Sequence, residues 1–267
     1  MKKKRNSYKI DFVNFIVPVG FLAAWVLLPA ILHTPEYLIP SLKKTGMGLV
    51  DFVFGTFRMS PYAGTFWKHS VASWHRVLAG FLIASFLGTV AGMLTGYFQM
   101  GRRLLDPFIH MIRMVPGIGW FPLAMVWFGV GNRTTVFLIA LAAFFPVYVN
   151  TLRAVRDVPP MLLDVGRVMG AGKWQLFKMV ILPLSLPGIF TGLRLGMGIC
   201  WAYLVLGELT GVNEGLGAVM MDARMLGNVD MIIVCMIVIA VWGRIGDLLL
   251  LFLYRRVKKE TDPYEGE

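Results

Sequence analysis

The sequence predicts an all-α integral membrane protein with about six transmembrane helices, both termini inside, and a cytoplasmic helical hairpin between the fourth and fifth spans. Three observations carry this. The 267 residues are 57% hydrophobic and only 15% charged, against roughly 25% charged in soluble domains, and the mean hydropathy is +0.68. The apolar residues collect in stretches of about 20, the length that crosses a hydrocarbon core of roughly 30 Å as a helix. Lysines and arginines crowd alternate loops, which is the signal that orients a polytopic chain.

Spans are expected at about 12–32, 77–98, 107–128, 134–151, 187–209 and 231–253. The first follows the basic run at 2–5 and is too long for a leader-peptide core, so it reads as a retained span. With the N-terminus inside, sixteen lysines and arginines fall on inner segments and six on outer ones: Lys43, Lys44, Arg58, Lys68, Arg133 and Arg224. The net charge of +11 is therefore an orientation signal and gives no reason to expect nucleic acid as a partner. Residues 43–68 leave room for an additional interfacial helix. Cys200 and Cys235 sit in apolar stretches as small hydrophobes, and His33, His69, His75 and His110 lack metal-ligand spacing, so no metal is expected.

The second span carries Gly88, Gly92 and Gly96 and the fifth Gly192 and Gly196. Small residues four apart lie on one helix face and let another backbone approach closely, either within the chain or at a subunit interface. In the third span Pro116, Gly117, Gly119 and Pro122 crowd together. Proline removes an amide donor and clashes with the preceding turn, and the freed carbonyls must be satisfied inside protein or a wet cavity. A broken helix of that kind suits a substrate path, and a plain kink satisfies the same residues.

The inner loop 152–186 is the most informative stretch. Asp157, Pro159 and Pro160 read as a helix start, and Met161, Leu162, Val165, Val168 and Met169 give that helix an apolar side. Gly170-Ala171-Gly172 permits a sharp reversal. A second helix follows, with Trp174, Phe177 and Ile181 on one face, and Leu182-Pro183 is expected to stop it. Such a hairpin docks on a partner at the inner face or lies on the bilayer surface.

The run from Asp164 to Pro183, D-V-G-x3-G-x9-V-I-L-P, resembles the EAA loop of permease subunits of bacterial ABC importers, whose pattern is E-A-A-x3-G-x9-I-x-L-P. Asp164 stands for the Glu, Val165 and Gly166 for the two Ala, and Val180 for the Ile. Gly170 and Leu182-Pro183 fall at the family's spacing. RVLAGFLIAS at 76–85, IRMVPGIGWFPLAMVWFGVG at 112–131, FFPVYVNTLRAV at 144–155 and the segment 186–211 are similar to the subgroup that imports nitrate, sulfonates, taurine and bicarbonate. The resemblance divides the chain into an N-terminal segment 1–69, a permease core 70–256 with its EAA loop at about 159–183, and a tail 257–267.

The resemblance implies a multi-pass protein of the bacterial inner membrane that transports by alternating access. Two permease copies form the path, cytosolic ABC ATPase subunits hold the ATP and Mg, and an extracytoplasmic solute-binding protein delivers cargo. It implies coupling through Asp164, Val165, Met169, Gly170 and Ala171, and no cofactor on this chain. A short rigid helix with a glycine turn transmits a rigid-body rotation, as a floppy loop does not.

Enzyme chemistry is not expected. Gly170-Ala171-Gly172-Lys173 lacks the Ser or Thr and the first Gly of a phosphate loop, and no nucleophile elbow occurs. Asp247 is expected to pair with Arg244, one turn away. Charges inside spans are costly and so are functional candidates: Arg113, Arg194 and Glu208 join Pro116 and Gly119 as candidates for the translocation path. Arg113 and Arg194 suit an anion, and Arg194 equally suits snorkelling to headgroups. The outer loop 210–230 offers Glu214, Asp222 and Arg224 to a binding protein, and Trp67, Trp74 and Trp127 suit an aromatic belt. The rival reading, a stand-alone ion-coupled transporter or channel, needs inverted repeats and an ionisable pair at the midplane, and has no use for the hairpin.

Overall fold

The structure is a computed structural model and describes residues 13–32, 35, 38–58 and 60–261. The basic residues at 2–5, Lys9, His33 and the last six residues of the tail lie outside them. The described residues are helical with no strand and form two compact units: the residues up to Phe66 with Asp222–Val234, and Trp67–Met221 with Cys235 onward.

The first unit contains α1 (Val13–Leu32), at the place of the first expected span, and α2 (Leu42–Phe54). Trp25 donates its indole N–H to the Pro40 carbonyl at 3.1 Å. Ser41 caps α2 by accepting the Lys44 N–H, as a short side-chain oxygen does for an orphan donor. Beyond α2 the buried Asp51 carboxylate accepts the N–H groups of Phe57 at 2.8 Å and Arg58 at 2.7 Å. That pair of bonds holds Arg58 at φ 49°, a left-handed conformation unusual for a side-chain-bearing residue.

The second unit is built around α6 (Asn132–Arg156), with α3 (Phe66–Tyr97) and α9 (Leu182–Glu208) packed on it. The glycines set the approach of α3. A Cβ at Gly88 would meet Val147 at 3.0 Å, one at Gly92 would meet Thr151 at 2.7 Å, and one at Gly96 would meet Val155 at 2.7 Å. The second stripe does the same for α9, where a Cβ at Gly192 would meet Asn150 at 2.9 Å and one at Gly196 would meet Val147 at 3.1 Å. Val147, fully buried, thus has one methyl against each stripe. Both stripes serve packing within the chain.

Four helical segments of the described residues are long and apolar enough to cross a membrane: Phe66–Tyr97, Asn132–Arg156, Lys173–Glu208 and Val229–Lys258. A bent pair makes a fifth if it counts as one span. That pair covers the third expected span, 107–128, begins earlier, at Gln99, and is broken where the sequence crowds its prolines and glycines. α4 (Gln99–Met114) and the segment Gly117–Phe128 meet at 88°. Pro116 forces Val115 into an extended conformation, φ −72° and ψ 119°, because the proline ring excludes the helical region for the residue before it. A 3-10 turn, Gly117–Trp120, then leads into α5 (Phe121–Phe128), with Pro122 in its first turn.

The hairpin is formed by α7 (Pro160–Val168) and α8 (Lys173–Leu176). Its first helix starts at Pro160, and Asp157 instead ends α6. Leu182 and Pro183 do not stop the second helix. α8 passes through a π turn, Phe177–Ile181, directly into α9, and Leu182 N–H donates to the Phe177 carbonyl five residues back. The widened turn accommodates Pro183, which has no N–H to donate, without breaking the helix. α10 (Leu216–Met225) and α11 (Val229–Thr261) complete the chain.

Candidate functional site

Two features of the second unit have the geometry of a functional site: the hairpin and a cleft against the bend. In the hairpin, Gly170 adopts φ +82° with open space where a Cβ would lie, so the reversal depends on left-handed backbone that glycine enters freely. Met169, Gly170 and Ala171 donate their N–H groups to the carbonyls of Val165, Arg167 and Gly166 at 2.9–3.0 Å, closing the end of α7 as a helix C-cap does. Gly166 lies against Leu176, whose side chain fills the place its Cβ would take. This contact pins α7 to α8, and Leu176 is buried as a result.

The outer edge of the hairpin is left bare. Val165, Val168 and Met169 are 48%, 89% and 81% exposed, and Met161 is also open. Asp164 is exposed and bonded to Arg167 at 2.7 Å on the same helix. A short helix held at its turn, with an apolar edge and a charge pair, has the features of a surface for protein or membrane contact.

The cleft, about 540 Å³, is lined by Arg113, Pro116, Gly117, Asn150, Arg153 and Tyr203 among others. Arg113 and Arg153 close the last turns of α4 and α6, where helix dipoles favour a cation. Neither is in an ion pair among the described residues. The Tyr203 hydroxyl rests directly on the bend, at the point a Cβ on residue 117 would occupy. Apolar walls with two unneutralised guanidiniums suit a small anion.

Of the path candidates, Arg113 and Pro116 line this cleft, Gly119 lies one turn past it, and Arg194 and Glu208 have partners elsewhere. Arg194 holds Asp247 of α11 through two bonds, Nε to Oδ1 at 2.6 Å and Nη2 to Oδ2 at 3.0 Å. Arg244 adds a third at 3.0 Å. Glu208 is 1% exposed and accepts from Arg76 at 2.5 Å, from Ser73 at 2.9 Å and from the Gly217 N–H at 2.8 Å. Arg76 in turn donates to Asn132 at 2.7 Å, and Ser73 accepts the Leu216 N–H at 2.9 Å. The cluster ties the ends of α3, α6 and α9 to the start of α10. Trp74 meets Trp201 and Trp242 edge-on at 5.2 and 5.6 Å.

Gly117 belongs to the break the sequence marks, whereas Asn150, Arg153 and Tyr203 carry no sequence signal that assigns them to the cleft. Ending the fourth span at 151 left Arg153 as a loop cation, although its spacing from Asn150 places both on one face of a helix that runs to Arg156.

A family model described as a binding-protein-dependent transport system inner membrane component matches residues 79–259. The chain is 38% identical over 267 residues, all of it and 94% of the relative, to an aliphatic sulfonates transport permease protein of Bacillus subtilis (strain 168). It is 35% identical over 203 residues, 76% of it and 72% of the relative, to the taurine transport system permease protein of Escherichia coli (strain K12). A bicarbonate transport system permease protein of Synechococcus elongatus is 34% identical over 194 residues, 72% of this chain and 69% of the relative. Among solved structures, an inward-facing MetNI methionine ABC transporter aligns with a TM-score of 0.54 at 20% identity, covering 70% of this chain and 93% of that one. That likeness is one of fold.

Proposed function

The chain belongs to the family of binding-protein-dependent transport system inner membrane components, and from that premise we propose that it lines the path by which an ABC importer moves a small anion. It is a multi-pass inner membrane permease, a transport subunit and not an enzyme. ATPase subunits and a solute-binding protein are the partners its family implies. The rest is our reading. Six spans carry the chain with both termini inside, and two copies form the path. ATP and Mg reside on the ATPases.

The observation that carries the coupling role is the hairpin's bare apolar edge beside a rigid turn. Val165, Met169, Gly170 and Ala171 seat in the ATPase, and Asp164 orients the contact through Arg167. Closure of the ATPases pushes α7, and the unbroken run from α8 through the π turn passes that push to α9 as a rigid-body motion. α9 carries Tyr203, so the motion acts directly on the cleft at Pro116 and Gly117. Arg113 and Arg153 favour the anion there, and the sulfonate, taurine and bicarbonate names of the relatives agree with that charge.

Affinity purification of the tagged full chain from its own cells tests this reading. An ABC ATPase is expected to accompany the parent protein and to be lost from Asp164→Lys and Gly170→Pro variants that still elute as folded permease. A folded parent that brings no ATPase even after cross-linking would sink the coupling assignment.

A further inference from the structure

A second groove, about 380 Å³, opens where the end of α3 meets α8, walled by Met93, Leu94, Tyr97, Phe98, Trp174 and Phe177 with Lys173 at its edge. Its aromatic wall is ordered. Trp174 stacks on Phe177 at 5.7 Å, Phe177 meets Tyr97 edge-on at 5.6 Å, and Tyr97 meets Phe98 at 4.8 Å. The Tyr97 hydroxyl points to the Lys173 carbonyl at 3.4 Å. Yet the groove is not closed, since Trp174 is 71% exposed and Phe98 52%. Open aromatic rings of this kind belong where hydrocarbon gives way to headgroups.

The charge around the groove has one sign. Besides Lys173, Lys178 follows Phe177 on the π turn, and Arg102 donates its backbone N–H to the Phe98 carbonyl at 3.1 Å, which puts Arg102 and Arg103 on the helical turn starting at the groove wall. All four are exposed, and none is in an ion pair among the described residues. The nearest acids in sequence are committed elsewhere: Asp106 to Arg156 and His110, Asp164 to Arg167.

We propose that this groove is a binding site for an anionic membrane phospholipid, with one acyl chain against Tyr97, Trp174 and Phe177 and the phosphate held by Lys173 with Arg102 and Arg103. An apolar slot that accepts a chain, rimmed by unpaired cations, matches both halves of such a lipid. A water-soluble anion gains nothing from the aromatic wall, and an apolar protein surface leaves the cations unneutralised. The site lies on the joint between hairpin and α9, so an occupied groove ties that joint to the bilayer. The inference goes beyond the transport reading and needs only that the chain lies in a membrane.

The test uses the full chain in phosphatidylcholine nanodiscs doped with phosphatidylglycerol or phosphatidylcholine bearing brominated acyl chains, which quench nearby tryptophan. The chain has 8 tryptophans, so the signal of Trp174 is the difference between the parent and Trp174→Phe. Half-maximal quenching of Trp174 is expected at an at least about five-fold lower mole fraction of the brominated anionic lipid, the preference conferred by even one basic side chain near the headgroup plane. A combined Lys173→Gln, Arg102→Gln, Arg103→Gln variant should quench equally with both lipids. Should that variant not fold, raising the salt on the parent protein makes the same comparison, because screening shrinks the preference. Equal quenching by the two lipids in the parent overturns the proposal. So does a Trp174 that neither lipid quenches, which would mean that a second copy of the chain covers the groove. These outcomes are independent of whether an ATPase binds the hairpin.

Discussion

Arg113, on the amphipathic α4, and Arg194, on the apolar α9, are both arginines of the second unit, and their surroundings give them opposite tasks. Arg194 grips Asp247 through two bonds, a fork geometry that only arginine provides. Its contribution is to join α9 to α11, and since its side chain is 40% exposed the pair is worth on the order of 1 kcal/mol. Arg113 faces the cleft without a carboxylate. Arg194→Gln is therefore expected to lower the thermal midpoint while leaving uptake per folded molecule largely unchanged. Arg113→Gln should leave the midpoint alone and slow uptake about tenfold, the effect of about 1.4 kcal/mol at the rate-limiting barrier. Scanning fluorimetry and vesicle uptake separate the two, and normal uptake by well-assembled Arg113→Gln would remove this residue from the path. Nothing in the sequence distinguishes the two arginines, because Asp247 is 53 residues from Arg194.

At the scale of the element, the hairpin depends on two glycines for different reasons. Gly170 needs its φ of +82° and has room for a side chain; Gly166 has ordinary backbone but no room, because Leu176 fills the space. Asparagine tolerates left-handed backbone better than other residues, whereas a β-branched residue there costs on the order of 1–2 kcal/mol. Gly170→Asn should keep ATPase binding and Gly170→Val should weaken it. Gly166→Leu should separate α7 from α8 at about 1–3 kcal/mol, seen as faster proteolysis within 160–176. Equal binding by all three variants would show that the turn's rigidity is not used. The hairpin's place and its glycine reversal were legible in the sequence, since turn chemistry is local. The π turn was not: Leu182-Pro183 reads as a stop when each residue is judged alone, and only the continuous packing of α9 on α6 keeps the helix running through it.

In the whole second unit, the buried cluster of Arg76 and Glu208 joins residues 132 apart in the chain. Removing one partner of a buried pair leaves an uncompensated charge and costs about 3–5 kcal/mol. Glu208→Gln should destabilise the fold by about that much, and Arg76→Met added to it should recover part of the loss, which a double-mutant cycle measures. Because Glu208 and Ser73 also hold the N–H groups of Gly217 and Leu216, amide exchange at those two positions should quicken in Glu208→Gln. Exchange at the parent rate would mean the cluster does not hold the start of α10. The two glycine stripes complete the frame by bringing α3 and α9 to the same buried Val147.

The sequence by itself determined that this is a helical membrane protein, where its apolar segments run, where α3 and α9 would accept close neighbours, and that the inner loop carries a helical hairpin. Those features rest on composition, on periodicity and on turn residues, which act within a few residues along the chain. Only the tertiary structure decided which charges pair, that the third span is bent through 88°, and that Asn150, Arg153 and Tyr203 join Arg113 in one cleft. The physical reason is distance along the chain. A carboxylate 53 or 132 residues away neutralises a guanidinium as fully as one a single turn away, and its effect is felt only after the helices have packed.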